Sequence, residues 1–159
     1  MHELEESADL ILVDTGAGVS PSVLSFVCSA DEQLVVTTPE PTAVTDAYAV
    51  IKTVTRQSSR TDIRILVNMV KDHAEAKAVF GRLEAVCQRF LNIRPRYAGH
   101  VVADPRVPAA VRRRRPFVLD TPHSDASACI GQLAHRLDRH ASEPAGSGLL
   151  RRMASWLAS

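Results

Sequence analysis

Short apolar runs alternate with helix-like segments along most of the chain. Four such runs, rich in β-branched residues, predict strands that are buried on both faces, as parallel strands are when helices cover them. Strands that alternate with helices at this spacing indicate βαβ units, so we expect an α/β fold with a parallel sheet and helices on both faces. The predicted strands are Leu10–Asp14, Gln33–Thr38, Asp62–Asn68 and Tyr97–Val102.

The helices between these strands are predicted from apolar spacings of three and four residues. Ser20 is placed to cap a first helix, and Pro21 occupies its first position, where the missing N–H costs nothing. Thr42 is placed to cap the second helix, and Ser124 the last helix of the core. Two further helices are predicted over residues 76–91 and 107–113.

Composition narrows the class of protein. A chain of 159 residues with 45% apolar content and a net charge of +1 is typical of one globular domain, and it gives no reason to expect a general nucleic-acid-binding surface. Residues 1–6 are acidic, unlike a signal peptide. Three widely separated cysteines favour reduced thiols in a cytoplasmic protein over a disulfide framework or a zinc site; they are Cys28, Cys87 and Cys129.

Asp14 is the first candidate for chemistry. It ends the first predicted strand, and Gly16 and Gly18 follow it, which permits a tight turn or the close approach of a ligand. Open α/β sheets bind ligands just beyond the carboxyl ends of their strands, and phosphate-binding ATPases hold a Mg²⁺-ordering acid at such a position. A solvated aspartate at an ordinary turn fits the spacing equally well.

Several segments resemble the MinD/ParA-like ATPases, a partial Rossmann-like, P-loop NTPase fold. Residues 13–18 (Val-Asp-Thr-Gly-Ala-Gly) and 30–32 carry the likeness, and residues 36–48 are most similar to the flagellar-placement branch, FlhG, also called FleN or YlxH. The resemblance covers nearly the whole chain. Further positions in register are residues 66–68, Asp104, Pro116–Phe117 and Ser124–Ser127.

The resemblance implies a role for each matched residue. Asp14 would be the Walker B-type acid that acts on Mg²⁺ through water, and Gly16 to Gly18 would be the segment that senses the γ-phosphate of ATP. Asn68 would contact adenine, and the segment Ala103-Asp104-Pro105 would line the base pocket. From the residues alone, Asn68 is better explained as a strand-ending turn residue and Asp104-Pro105 as a helix start.

The chain departs from the family in one large respect. None of the 159 residues forms a Lys-Gly-Gly-x-Gly-Lys-Thr phosphate loop. In the family, the phosphate-loop strand lies between the strands that match Leu10–Asp14 and Gln33–Thr38. The chain therefore resembles the carboxyl-terminal portion of such a domain, and we expect no ATPase activity from it in isolation, because positioning and charge stabilisation are nearly all of phosphoryl-transfer catalysis.

The tail carries a separate signal. The sequence divides into an ATPase-like portion over residues 1–140, a linker over 141–148 and an amphipathic helix over 149–159. Such a helix is long enough to lie on a membrane but not to cross it, and it resembles the membrane-targeting helix of MinD-like proteins; docking on the protein's own sheet is the alternative. Its apolar face and flanking arginines are Leu149, Leu150, Arg151, Arg152, Met153, Trp156 and Leu157.

Two other features of the sequence give weaker evidence about function. The run Arg112–Arg115 is typical of a solvated helix end, with contact to anionic lipid or to a partner as the alternative. The six histidines show no metal-ligand spacing. A third function, that of a nucleic-acid-binding regulator, is supported by the arginine run alone.

Two functions follow from the resemblance. The first is part of an ATPase that uses ATP and Mg²⁺, forms a homodimer, sits peripherally on the inner face of the cytoplasmic membrane and regulates flagellar number or placement. Its implied partners are an FlhF-type GTPase and flagellar switch proteins. The second is a pseudo-ATPase scaffold that keeps only the partner and membrane surfaces.

Overall fold

Three parallel strands form one sheet in the computed structural model, which describes residues 8–58 and 62–141 and the side chains up to residue 138. The strands are adjacent in chain order: β1 is Gln33–Thr37, β2 is Ile63–Val70 and β3 is Arg96–Val102. Both neighbouring pairs run parallel. The predicted α/β class is confirmed.

Helices connect and cover the strands. Ser20 accepts a hydrogen bond from the N–H of Val23, and Ser124 accepts one from the N–H of Ser127, so these two predicted caps are confirmed. The predicted cap at Thr42 is wrong: the fixed φ of Pro41 suits the first helical position, so that helix begins two residues earlier, after Glu40. The helices are α1 Pro21–Ser29, α2 Pro41–Gln57, α3 His73–Leu91, α4 Arg106–Arg112, α5 Phe117–Asp120 and α6 Asp125–Ala141.

The larger core lies between one face of the sheet and helices α1, α2 and α3. Ile65 and Val67 of β2 are fully buried there, as are Ile51 of α2 and Leu83 of α3. Cys87 of α3 is also completely buried in this layer, where its free thiol packs as a small apolar side chain.

The second face of the sheet is covered by α6. Ala126, near the start of α6, packs with Val101 near the end of β3, whereas Arg136 donates from Nη1 to the carbonyl of Ala98, nearer the start of β3, at 2.6 Å. Helix α6 therefore runs antiparallel to β3. It begins at the carboxyl edge, the edge formed by the carboxyl ends of the strands, and ends towards the opposite, amino edge.

The segment Leu10–Asp14 is not a strand, which corrects the prediction of about four strands. Leu12 is 74% exposed, and Leu10 and Leu12 line an apolar groove of about 460 Å³ with residues of α6. A strand needs a hydrogen-bonding neighbour. The phosphate-loop strand that the resemblance places between this segment and β1 is not among the 159 residues, and within the described residues the segment pairs with no strand.

A charged network closes the amino edge. Arg64 of β2 is nearly buried and donates to Glu32 at 2.6 Å, with Asp62 at 3.5 Å. Asp62 also pairs with Arg96 of β3. These ion pairs connect the beginnings of the three strands. They also pair the nearly buried guanidinium of Arg64, since a buried charge without a partner is costly.

Candidate functional site

Polar and backbone groups follow all three strands at the carboxyl edge. Thr38 follows β1, Asn68 lies near the end of β2, and Ala103 follows β3. The N–H of Ala103 donates to the carbonyl of Val70 at 2.8 Å, which joins the ends of β2 and β3. This edge is where open parallel sheets bind ligands.

Asn68 lies in an irregular part of β2. Between Val67 and Val70, β2 advances three residues while β3 advances only two, from His100 to Val102. The extra residue forms a bulge, a feature that re-aims side chains at the edges of sheets. Asn68 Oδ1 accepts a hydrogen bond from the N–H of Met69 at 2.9 Å, which leaves a lone pair of Oδ1 and both Nδ2 hydrogens for other partners.

The segment 103–105 lies beside this bulge and begins α4. Ala103 and Pro105 are exposed, whereas the Asp104 side chain is only 7% exposed. Asp104 Oδ1 accepts a hydrogen bond from the N–H of Arg106 at 2.8 Å. The Asp104 carboxylate is therefore engaged at the helix start, while the backbone of this segment borders the edge.

Thr38 was not singled out from the sequence. Its hydroxyl is buried, and no residue in the described part of the chain forms a hydrogen bond with it. An unpaired buried hydroxyl is costly, so an atom of this kind at a ligand-binding edge is a candidate contact for a bound molecule. Its signal in the sequence was its position as the last residue of a predicted strand.

Asp14, Gly16 and Gly18 lie in the irregular segment that precedes α1, and Asp14 is exposed. Gly18 has a φ of +97°, so this position favours glycine, whereas a Cβ at Gly16 would meet nothing within 4 Å. Since the segment is not a strand of the sheet, strand pairing does not hold Asp14 at the carboxyl edge. The catalytic and Mg²⁺-binding roles of these residues stay predictions.

The residues at the carboxyl edge fit the base and sugar of a Mg-ATP complex but not its phosphates. The amide of Asn68, the hydroxyl of Thr38 and the backbone at Ala103 can hydrogen-bond a base and a sugar. No group of three metal-ligating side chains occurs within residues 8–58 and 62–138. Asp14 could hold Mg²⁺ only together with water and phosphate oxygens, and the backbone cradle for the phosphates is not among the 159 residues.

A second polar cluster lies where α3 meets β3, and no motif in the sequence predicted it. The rings of His73 and His100 are 5.1 Å apart, and Tyr97 Oη is 3.1 Å from His100 Nδ1. Lys77 Nζ lies 3.9 Å from the centre of the Tyr97 ring. Burial, and then the nearby charges of His73, Arg136 and Lys77, lower the pKa of His100.

A parallel sheet with candidate ligand-binding groups at its carboxyl edge is the arrangement found in nucleotide-binding α/β proteins. No family model matches the sequence. The chain is 38% identical over 136 residues to the antiactivator FleN of Pseudomonas aeruginosa, which covers 86% of this chain and 49% of FleN. It is 33% identical over 129 residues to the flagellum site-determining protein YlxH of Helicobacter pylori, a match that covers 80% of this chain and 43% of YlxH.

Solved structures agree with these relatives. The MinD cell division protein of Aquifex aeolicus superposes with a TM-score of 0.67 at 26% identity, over 92% of this chain and 60% of that one. MinD of Pyrococcus horikoshii, solved with Mg-ADP, shares the fold with a TM-score of 0.67 at 21% identity, over 92% and 57%. The chain belongs to the MinD/ParA-like family of P-loop ATPases, and it spans about half the length of the curated relatives it matches.

The membrane prediction rests on residues outside the described part of the chain. The linker after Ala141 and the amphipathic segment 149–159 both fall there. Among the described helices, none has the length and apolar character needed to span a bilayer. Membrane contact through Leu149–Leu157 stays a prediction.

Proposed function

We propose that this chain forms the adenine-binding part of a FleN-type ATPase that regulates flagellar number or placement. The observation that carries the proposal is the carboxyl edge, where Thr38, Asn68 and Ala103 lie at the ends of three adjacent parallel strands. The identity to FleN and YlxH supports the flagellar branch of the family.

The reaction would need groups that these residues do not include. Mg²⁺ and a phosphate cradle neutralise and orient the transferring phosphoryl group in P-loop ATPases. Asp14 would order Mg²⁺ through water, and Asn68 with residues 103–105 would hold the adenine base. The chain alone would bind the adenine end of ATP weakly, and it would not hydrolyse ATP.

ATP-dependent dimerisation and membrane residence complete the proposal. One amphipathic tail gains roughly 1.5–3 kcal/mol at most per buried apolar side chain, and ordering costs roughly 1–2 kcal/mol per residue, so a single copy binds marginally. Two tails in a homodimer would bind through their raised effective concentration. An FlhF-type GTPase and flagellar switch proteins are the proposed partners at the inner face of the cytoplasmic membrane.

A chimera tests the catalytic part of the proposal. The part of FleN that precedes the matched residues, where the family resemblance places the phosphate loop, would be joined before residue 8 of this chain, and ATP hydrolysis would be measured. We expect hydrolysis by the chimera and none by the 159-residue chain. Asp14→Asn should reduce the rate at least about tenfold, because it removes the charge that orders Mg²⁺.

Asp9→Asn is the matched control, since Asp9 is an exposed aspartate in the same irregular segment. It should leave the rate within about twofold of the parent chimera, since surface charges away from the site have small effects. Equal rates for the Asp14 and Asp9 variants would remove the proposed role of Asp14.

A further inference from the structure

Met69 has a backbone conformation that few methionines adopt. Three described residues other than glycine have a positive φ: Met69 at 57°, Asn92 at 55° and Arg114 at 55°. Asn92 ends α3 as its C-cap, and Arg114 follows the last turn of α4, both of which are common places for a left-handed residue. Met69 instead lies inside β2, where neither explanation applies.

The surrounding structure holds Met69 in this conformation. Its neighbour Val70 is completely buried in the larger core, and the Val70 carbonyl accepts the hydrogen bond from Ala103. On the other side, Val67 is also completely buried. The bulge must therefore fit Asn68 and Met69 between two fixed valines, and the Asn68 side chain holds the Met69 N–H.

The result is an apolar side chain presented to solvent beside the candidate base-contacting amide. Met69 is 63% exposed, although it lies in a strand whose residues 63–67 are buried. Strained backbone that is fixed by its surroundings concentrates at ligand sites. A thioether is also a favourable partner for an aromatic ring, with the sulfur about 5 Å away.

We propose that Met69 is a specificity-determining residue whose thioether side chain packs against the purine ring of an adenine nucleotide bound at the carboxyl edge. This inference rests on the proposed function, since it assumes that the edge binds adenine. It adds an apolar contact to the hydrogen bonds of Asn68 and accounts for the strained, exposed position of Met69.

Methyl-labelled methionine gives a direct test, because the chain has only three methionines, Met1, Met69 and Met153. The full 159-residue chain, labelled at the methionine methyl carbons and uniformly with ¹⁵N, would be titrated with adenosine and separately with ribose 5-phosphate. Adenosine should move the Met69 methyl signal upfield through the ring current. Ribose 5-phosphate, which has no aromatic ring, should leave it in place.

The other two methionines are internal controls, and the spectrum of Met69→Leu identifies the Met69 signal. Met69→Ala should weaken adenosine binding by about 2- to 10-fold, the range expected for one sulfur–aromatic contact, whereas Met69→Leu should weaken it less. Asn92→Ala, a substitution at a left-handed position near the opposite edge, should not change the affinity.

The adenosine titration distinguishes the adenine site at the carboxyl edge from the proposed contact of Met69. If amides of Asn68 and Ala103 shift with adenosine while the Met69 methyl does not, Met69 has no contact with the base, although the adenine edge stands. If no signal shifts up to the solubility limit of adenosine, the adenine edge itself is wrong for this chain, and the Met69 inference fails with it.

Met69→Gly distinguishes a ligand role from a structural one. Glycine relieves the strained φ, so the variant should unfold at an equal or higher temperature than the parent chain and still bind adenosine more weakly. A residue with only a structural role would change the unfolding temperature and leave adenosine affinity unaltered.

Discussion

The carbonyl of Val70 and the N–H of Ala103 form a 2.8 Å hydrogen bond that fixes the end of β2 against the turn after β3. Because Val70 is also completely buried, the end of β2 cannot shift along its neighbour. The extra residue of β2 is therefore confined to Asn68 and Met69. One backbone hydrogen bond thus determines which side chains face the carboxyl edge.

Replacing Gly99 should destabilise the fold. Gly99 has a φ of +148°, and a Cβ there would lie 3.1 Å from Arg136 Nη1. The bulge around Ala98 and Gly99 needs this conformation, so Gly99→Ala should lower the free energy of unfolding by about 1–3 kcal/mol, measured by urea denaturation.

Gly131→Ala is the matched control for that measurement. Gly131 lies in α6, and a Cβ there would meet nothing within 4 Å. The same substitution should therefore raise the free energy of unfolding by about 0.5–1 kcal/mol, because alanine is the better helix former. Similar effects of both substitutions would contradict the assigned role of the Gly99 conformation.

Stability should fall at alkaline pH because of Cys87. Burial raises the pKa of the Cys87 thiol to about 11, whereas an exposed thiol in the unfolded chain titrates near 8.5. The folded state then retains a proton that the unfolded state loses, so this contribution is present at lower pH and is lost as pH rises from about 9 to 11.

Urea denaturation at several pH values measures this effect. Cys87→Ala should make the free energy of unfolding less dependent on pH in that range, although the substitution leaves a small cavity. Cys87 should also resist alkylation in the native chain at pH 8, since it is fully buried and almost entirely protonated. Rapid native alkylation of Cys87 would show that the helix opens locally.

The outer edge of β1 should promote self-association. Within the described residues β1 pairs only with β2, and Leu34 and Val36 of β1 are 38% and 54% exposed. An unpaired edge with apolar side chains is a template for association. Val36→Lys should increase the monomer fraction in sedimentation velocity runs.

Leu119→Lys provides the comparison, because Leu119 is an exposed apolar residue of α5, at 77%, and is not part of β1. It adds the same charge without changing the β1 edge. If both lysines shift the monomer fraction equally, net charge rather than the β1 edge controls association.

The tail should bind membranes only in a dimeric form. A dimeric fusion of the chain should float with liposomes that contain anionic lipid, and Trp156→Glu should abolish flotation by placing a charge on the apolar face. Ser155→Glu adds the same charge on the opposite face of the predicted helix and should reduce flotation much less. Equal flotation of Trp156→Glu and the parent fusion would remove the membrane proposal.

The paired strands and the long helices could be predicted from the sequence because each carries its own signal. The β-branched run in β1 and the apolar spacing of α3 depend on neighbouring residues only. The segment Leu10–Asp14 has an equally strong strand pattern, yet it is not a strand, because strand formation also needs a hydrogen-bonding partner. A local pattern cannot report whether that partner is present.

The candidate site was predictable in part. Asn68 and Ala103 were identified through the family resemblance, at or just after the ends of predicted strands. The bulge at Met69 was not predicted, since methionine has no preference for a left-handed conformation. The ion pairs of Arg64 were also missed. An arginine between isoleucines in a buried strand is the signal that pointed to them.

The direction of α6 has a consequence for signalling. This helix carries the chain about 25 Å, the length of its 17 residues, from the rim that holds Asn68 to the far rim of the sheet. A molecule held at the first rim therefore lies about one helix length from Ala141, where α6 ends. A signal from bound nucleotide to the tail would have to cover that distance, either through a linker that returns along α6 or through the second subunit of the proposed homodimer.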